Sequence, residues 1–207
     1  MNRKFGVLCM VLGMVLMLGA GLLYMNNCRE DIVAQESAKD TLSVMAQQLQ
    51  DSPSGSEGKT LALQKPVELL TEEEKKMTEV TINGIAYIGY LSIPSLELEL
   101  PITADWSYQL LKKSPCRYYG TVRGEDLVLM AHNYSSHFGK ISQLALGDSV
   151  IFTDMDGEIT YYEVVGEDVL EPTSVEEFTS GDFDLTLFTC TYGGEYRVTV
   201  FCDKVEA

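Results

Sequence analysis

Two β-branched and aromatic runs, Thr186-Leu187-Phe188-Thr189-Cys190-Thr191-Tyr192 and Glu195-Tyr196-Arg197-Val198-Thr199-Val200, meet at Gly193-Gly194 near the end of this chain. A pair of glycines between such runs is the signal of a tight antiparallel hairpin. With the glycines as the turn, 192 faces 195, 191 faces 196, and Cys190 faces Arg197. Side chains paired in this way share one face of the sheet, their Cβ atoms roughly 5 Å apart. A guanidinium beside a thiol favours the thiolate and suits an oxyanion formed later at the same place. The hairpin therefore sets a nucleophile next to a fixed positive charge.

A cysteine nucleophile needs a proton carrier, and the chain has two histidines. His132 ends the apolar run Leu127-Val128-Leu129-Met130-Ala131, where a strand would hold it rigidly while it faces a cleft. His137 lies in the polar loop that follows, so His132 is the preferred base. Further β-rich segments recur with turn signals between them: Ile85–Ile93, Leu96–Ile102, Leu127–Ala131, Ser149–Thr153, Glu158–Val165, Leu185–Thr191 and Tyr196–Val200. This spacing predicts an all-β barrel or sandwich without deciding between them. Trp106 to Lys112 reads as a short helix, and Glu176-Glu177-Phe178 begins another.

The other end of the chain bears on location. Phe5 to Met25 is almost unbroken apolar sequence preceded by Arg3 and Lys4, and about 20 helical residues span a bilayer core of roughly 30 Å. The run is longer than the apolar part of a signal peptide and continues through Leu22-Leu23-Tyr24-Met25 after its small residues. It predicts an uncleaved anchor with its short basic end in the cytoplasm. Residues 26–80 read as an extracellular stalk with fair helix formers from Arg29 to Gln50 and a Ser/Gly/Pro linker at 51–58. The net charge is −16, with 20 acidic against 7 basic side chains from residue 81 onward, and such a surface repels phosphate backbones. Nucleic acid is excluded as a partner. Five cysteines without metal-type spacing read as free thiols apart from the proposed nucleophile, a Cys116–Cys202 disulfide being the alternative.

At this point the residues resemble a known family. Thr186-Leu187-Phe188-Thr189-Cys190 is similar to the TLxTC motif of sortases, the cysteine transpeptidases of Gram-positive cell surfaces. Arg197 stands where they carry an essential arginine, and Met130-Ala131-His132-Asn133 where they carry their histidine. Ile88–Pro94, Leu100-Pro101-Ile102 and Leu146–Val150 also resemble sortase segments, in order, across residues 81–207, and Cys116–Gly120 with Ala131-His132-Asn133 looks most like the class B group.

The resemblance implies an all-β, closed eight-stranded barrel with short helices, preceded by one transmembrane helix: residues 1–25 the cytoplasmic tip and signal-anchor, 26–80 the stalk, 81–207 the catalytic domain. It implies Cys190, His132 and Arg197 as catalytic residues. They would cleave an LPxTG-like sorting signal through a thioester and transfer the surface protein to a peptidoglycan precursor or another amine acceptor. A hydrolysing cysteine peptidase, a pilin-polymerising sortase and a non-enzymatic adaptor are the alternatives. No cofactor is expected. Calcium, which some sortases bind, would fall to Glu171, Glu176, Glu177 and Asp182, while Asp154–Glu158 reads as a hairpin turn rather than a calcium loop. The stretch before residue 80 holds no Asp-Pro-aromatic lid motif, which favours an anchoring enzyme over a pilin polymerase.

Overall fold

The computed structural model describes residues 3–51 and 70–205. A single helix, α1 (Arg3–Asp51), opens the chain. No glycine or proline occurs between Asn26 and Asp51, so nothing in the backbone chemistry stops the helix once it leaves the apolar run. Its first part, from Val7 to Met25, exposes apolar side chains all round, the pattern of a helix meant for lipid. It is long and apolar enough to cross a membrane. Its second part is amphipathic in an unobvious way: Ala34, Ala38, Thr41 and Met45 are the buried residues, and their spacing of four, three and four makes one stripe. The first half of the expected stalk is thus a helix packed on the body of the protein rather than a coil that holds it away. Small side chains on the stripe let the two surfaces approach closely. The linker expected at 51–58 lies, beyond Asp51, outside the described residues.

After the short α2 (Glu72–Lys75), strand β1 (Val80–Ile82) pairs with the start of β2 (Ile85–Ile93). Then come β3 (Leu98–Thr103), α3 (Tyr108–Leu111), β4 (Cys116–Tyr119), β5 (Leu127–Ala131), β6 (Ser149–Asp154), β7 (Ile159–Leu170), α4 (Val175–Phe178), β8 (Leu185–Cys190) and β9 (Arg197–Lys204). The strand order β2-β3-β4-β5-β8-β9-β7-β6 returns to β2 through a β2–β6 pairing, which closes an eight-stranded barrel. Gly89 makes that closure possible. A side chain there would bring its Cβ within 2.2 Å of the Thr153 carbonyl, and the residue has φ +149°, so only glycine fits the seam.

All seven strands read from the sequence are present, several with shifted ends. The strand expected to end at Val165 instead carries a bulge between Val164 and Gly166 and continues against β9 to Leu170. β1 and β4 were not expected. Asp154 caps the turn between β6 and β7, its Oδ1 accepting the main-chain N–H groups of Asp156 and Glu158 at 2.9 Å each. The acidic Asp154–Glu158 stretch is a hairpin turn, as read.

The barrel interior is filled by Ile88, Leu91, Ile102, Leu127, Leu129, Phe152, Leu187 and Val200, among others. β5 and β8 are covered on their outer side as well. Val128 and Phe188 pack there with Phe178 of α4, joined by Tyr118, Met130 and Leu170. This two-sided burial explains why both strands read as continuous apolar runs. It also sets which side chains reach the outer face, where the candidate site lies.

Candidate active site

Alternation along a strand sorts the key residues by parity. In β8, Leu185 and Leu187 point into the barrel and Phe188 points out, so Cys190 points out. The antiparallel pairing of β8 with β9 ends at Cys190 opposite Arg197, as the hairpin reading required. β5 runs parallel to β8 with Ala131 beside Thr189, so His132 follows one step further, beside Cys190 and in phase with outward Met130. Three consecutive strands therefore bring His132, Cys190 and Arg197 to one rung at one edge of the outer face. All three are half-buried. Cys202, five residues beyond Arg197, sits in the barrel core.

The turn itself is wider than two residues. Gly193 and Gly194 do take left-handed φ of +97° and +80°. Thr191 N–H donates to the Tyr196 carbonyl at 3.0 Å, and Gly194 N–H to that of Thr191 at 2.9 Å. The Thr191 hydroxyl accepts the Tyr196 N–H at 3.1 Å, so Tyr192 and Glu195 stay outside the ladder. Arg197 Nη1 donates to the Gly194 carbonyl at 3.0 Å and the Tyr196 carbonyl at 3.1 Å. Those bonds fix the guanidinium while leaving its Nε–H and Nη2–H groups unused by them, donors suited to an oxyanion.

Thr189 ties the rung together from beneath. It is buried, and its Oγ1 donates to the Ala131 carbonyl at 2.8 Å. The bond joins β8 to β5 one residue before each of the reactive side chains. The role of Thr189 went unread in the sequence, although it stands inside the very motif that carried the resemblance.

His132 opens a tightly folded loop. The Phe138 N–H donates to the His132 carbonyl at 3.2 Å, and the N–H groups of His137 and Gly139 donate to that of Tyr134 at 3.0 and 2.9 Å. A Cβ on Gly139 would lie 2.5 Å from the Asn133 carbonyl, so the loop requires glycine there. Tyr134 stacks on His132 with ring centroids 4.8 Å apart. The proton affinity of His132 is lowered, first by burial and then by the Lys112 ammonium, while Glu30 acts in the opposite direction. Its resting form near neutral pH is the neutral imidazole, able to take a proton. His137 is fully buried under the loop, and neither ring nitrogen has a hydrogen bond of good geometry, the Lys113 main chain being the polar group at hand. Burial pushes it down to about 4. It is a core residue that faces no cleft.

Cys116 and Cys202 are buried free thiols, pushed up by burial to about 11 and about 12 respectively. Within the barrel that leaves Cys190 as the accessible thiol. Among the described residues no three His, Cys, Asp or Glu side chains gather as a metal ion would need. Beside the rung, Trp106, Tyr118, Phe188 and Phe178 form a chain of ring contacts, with centroid distances of 6.2, 5.3 and 4.8 Å. This supplies an apolar wall next to the thiol.

The family model for the sortase domain matches residues 91–205. Among solved structures, the fold is similar to sortase A from Corynebacterium diphtheriae (TM-score 0.55, 23% identity). That match covers 59% of this chain and 62% of the other, so this chain spans less than two thirds of that relative. It is also similar to sortase C1 from Streptococcus suis (TM-score 0.52, 30% identity, 58% and 74% covered). A third similar structure is Clostridium perfringens sortase C, described with the C-terminal cell wall sorting motif (TM-score 0.54, 29% identity, 67% and 77% covered). No curated protein matches the chain.

Proposed function

The chain belongs to the sortase family, and from that premise we propose that it is a membrane-anchored cysteine transpeptidase acting through Cys190, His132 and Arg197. The observation that carries this reading is the rung itself, with Cys190 paired to Arg197 on one side and flanked by the end of β5 on the other. As substrate arrives, the neutral His132 imidazole accepts the Cys190 proton. The thiolate adds to the carbonyl carbon after Thr in an LPxTG-like sorting signal, and the carbonyl electrons move onto oxygen, where Arg197 meets the negative charge. The C–N bond then breaks as the His132 imidazolium protonates the leaving amine, which leaves a thioester on Cys190. An incoming amine attacks the thioester, gives its proton to His132 and expels the thiolate. The product is a surface protein joined to the acceptor through a new amide.

The anchor reading places α1 residues 5–25 in the membrane with the barrel outside the cell. The acceptor is an amine of the cell wall, a peptidoglycan precursor. Polymerisation onto a lysine of another protein is the second reading, favoured by the likeness to sortases C from Streptococcus suis and Clostridium perfringens. The full-length protein in detergent, incubated with an LPxTG-type peptide and either triglycine or a lysine-bearing peptide, tests both. A ligated product with triglycine, absent in Cys190→Ala, supports wall anchoring, while preference for the lysine peptide supports polymerisation. Hydrolysis alone at saturating amine would sink the transpeptidase assignment in favour of a peptidase.

A further inference from the structure

The acidic pair Glu30-Asp31 follows Met25 by only five and six residues on the same unbroken helix, about 8 Å beyond the apolar run. Both side chains engage the loop that begins at His132. Tyr134 donates its phenol hydrogen to Glu30 Oε2 at 3.0 Å, and the Ser136 N–H donates to Asp31 Oδ1 at 3.0 Å. The Ser136 hydroxyl donates to the same carboxylate and lies 3.2 Å from the Asp31 carbonyl. Lys112, just past α3, has its Nζ 3.9 Å from Glu30 Oε1. Tyr134 in turn stacks on His132. Further along, the buried Ala34–Met45 stripe seats the helix against the barrel, so these contacts rest on a rigid support.

We propose that Glu30 and Asp31 are positioning residues for His132, and that the anchor helix is a working wall of the active site rather than a tether. Asp31 holds the loop backbone through Ser136, and Glu30 holds Tyr134, against which the imidazole lies. A tether would need no such bonds. The two acids bind main chain and a buried ring over 100 residues away in sequence, on the one loop that carries the catalytic base. The charged and titratable groups around the imidazole are Glu30 and Asp31 from α1, Lys112 after α3, Tyr134 and His137 from its own loop, and Cys190 and Arg197 from β8 and β9. Glu30 and Lys112 oppose each other, the first raising and the second lowering the proton affinity of His132. The inference rests on the assignment of His132 as the acid–base group.

Its test uses the full-length protein in detergent micelles. Only two histidines are present, so ring-labelled histidine gives two NMR titrations, assigned with His137→Gln. Glu30→Gln should move the His132 titration to lower pH, because a carboxylate that favours the imidazolium is gone. Asp31→Ala should move it back toward 6.5 as the loop loosens and the ring hydrates. Asp31→Asn keeps the acceptor oxygen and the loop in place, so its titration should not move back toward 6.5 as that of Asp31→Ala does. With an LPxTG-type peptide, Asp31→Ala should lower kcat about tenfold at nearly constant KM, and Asp31→Asn should recover most of it. Thermal melts of each variant separate misfolding from misplacement. His132 titrations unchanged in Glu30→Gln and Asp31→Ala, in variants that melt as the wild type does, would overturn the proposal. Activity retained in His132→Ala would instead overturn the assignment beneath it.

Discussion

Replacing Thr189 with valine should part the strand ends that carry the cysteine and the histidine. The side chain is 4% exposed, and its hydroxyl donates to the Ala131 carbonyl at 2.8 Å. Valine has nearly the same shape, so the change opens no cavity. It removes one hydrogen bond, about 0.5–1.5 kcal/mol net, and leaves a buried carbonyl one donor short, which brings the total to about 1–3 kcal/mol. At about 4 °C per kcal/mol for a domain of this size, the melting temperature should fall about 4–12 °C. The functional effect should exceed what stability explains, because the lost bond lies one residue from both Cys190 and His132. Peptide ligation measured well below the melting temperature should show kcat reduced about tenfold with KM nearly unchanged. Thr189→Ser keeps the donor and should restore both quantities. A Thr189→Val protein that melts within 1 °C of wild type and ligates at the same rate would refute the idea that this bond sets the spacing of the rung.

Gly89→Ala should prevent barrel closure, since its Cβ would meet the Thr153 carbonyl at 2.2 Å, and loss of the cooperative near-ultraviolet melt would report it. Burial holds His137 neutral with its pKa down to about 4 against the usual 6.5. The unfolded chain therefore binds the proton more readily, and the stability present above pH 6.5 should drain away as pH falls from 6.5 to 4, by about 3 kcal/mol in all. Denaturant melts across that range should show the loss in wild type and much less of it in His137→Phe. Iodoacetamide at pH 8 should label Cys190 in the folded barrel and spare Cys116 and Cys202, whose buried thiols are pushed up to about 11 and about 12. Peptide mapping before and after unfolding decides it, and equal labelling of all three in the folded state would contradict the burial argument.

The Cys190–Arg197 pairing was legible because a hairpin converts sequence distance directly into spatial register. Cys190 and Arg197 needed only the count across Gly193-Gly194, and the pairing survives even though the turn is wider than two residues. His132 was legible as the residue after a continuous apolar strand, though its lateral place beside Cys190 depends on a parallel β5–β8 pairing that no local pattern encodes. β4 escaped because it is four residues long and joins β3 through a single bridge, Thr103 with Cys116. The docked half of α1 escaped for a different reason. Its conspicuous apolar residues Ile32 and Val33 are exposed, 57% and 56%, while the buried stripe is built mainly of alanine and threonine. Small residues carry little hydrophobic signal, so a helix that packs closely looks in sequence like one that does not pack at all. Glu30 and Asp31 gave no signal of their role, because their partners, Tyr134 and Ser136, are 104 and 105 positions away.

The most direct test of the proposed cysteine transpeptidase is the intact mass of the full-length protein after brief exposure to an LPxTG-type peptide without an amine acceptor. A thioester adduct is expected that maps to Cys190, is released by added triglycine as a ligated peptide, accumulates far more slowly in His132→Ala and Arg197→Ala, and is absent in Cys190→Ala. A peptide adduct on another residue, or amine-dependent ligation that persists in Cys190→Ala, would contradict it.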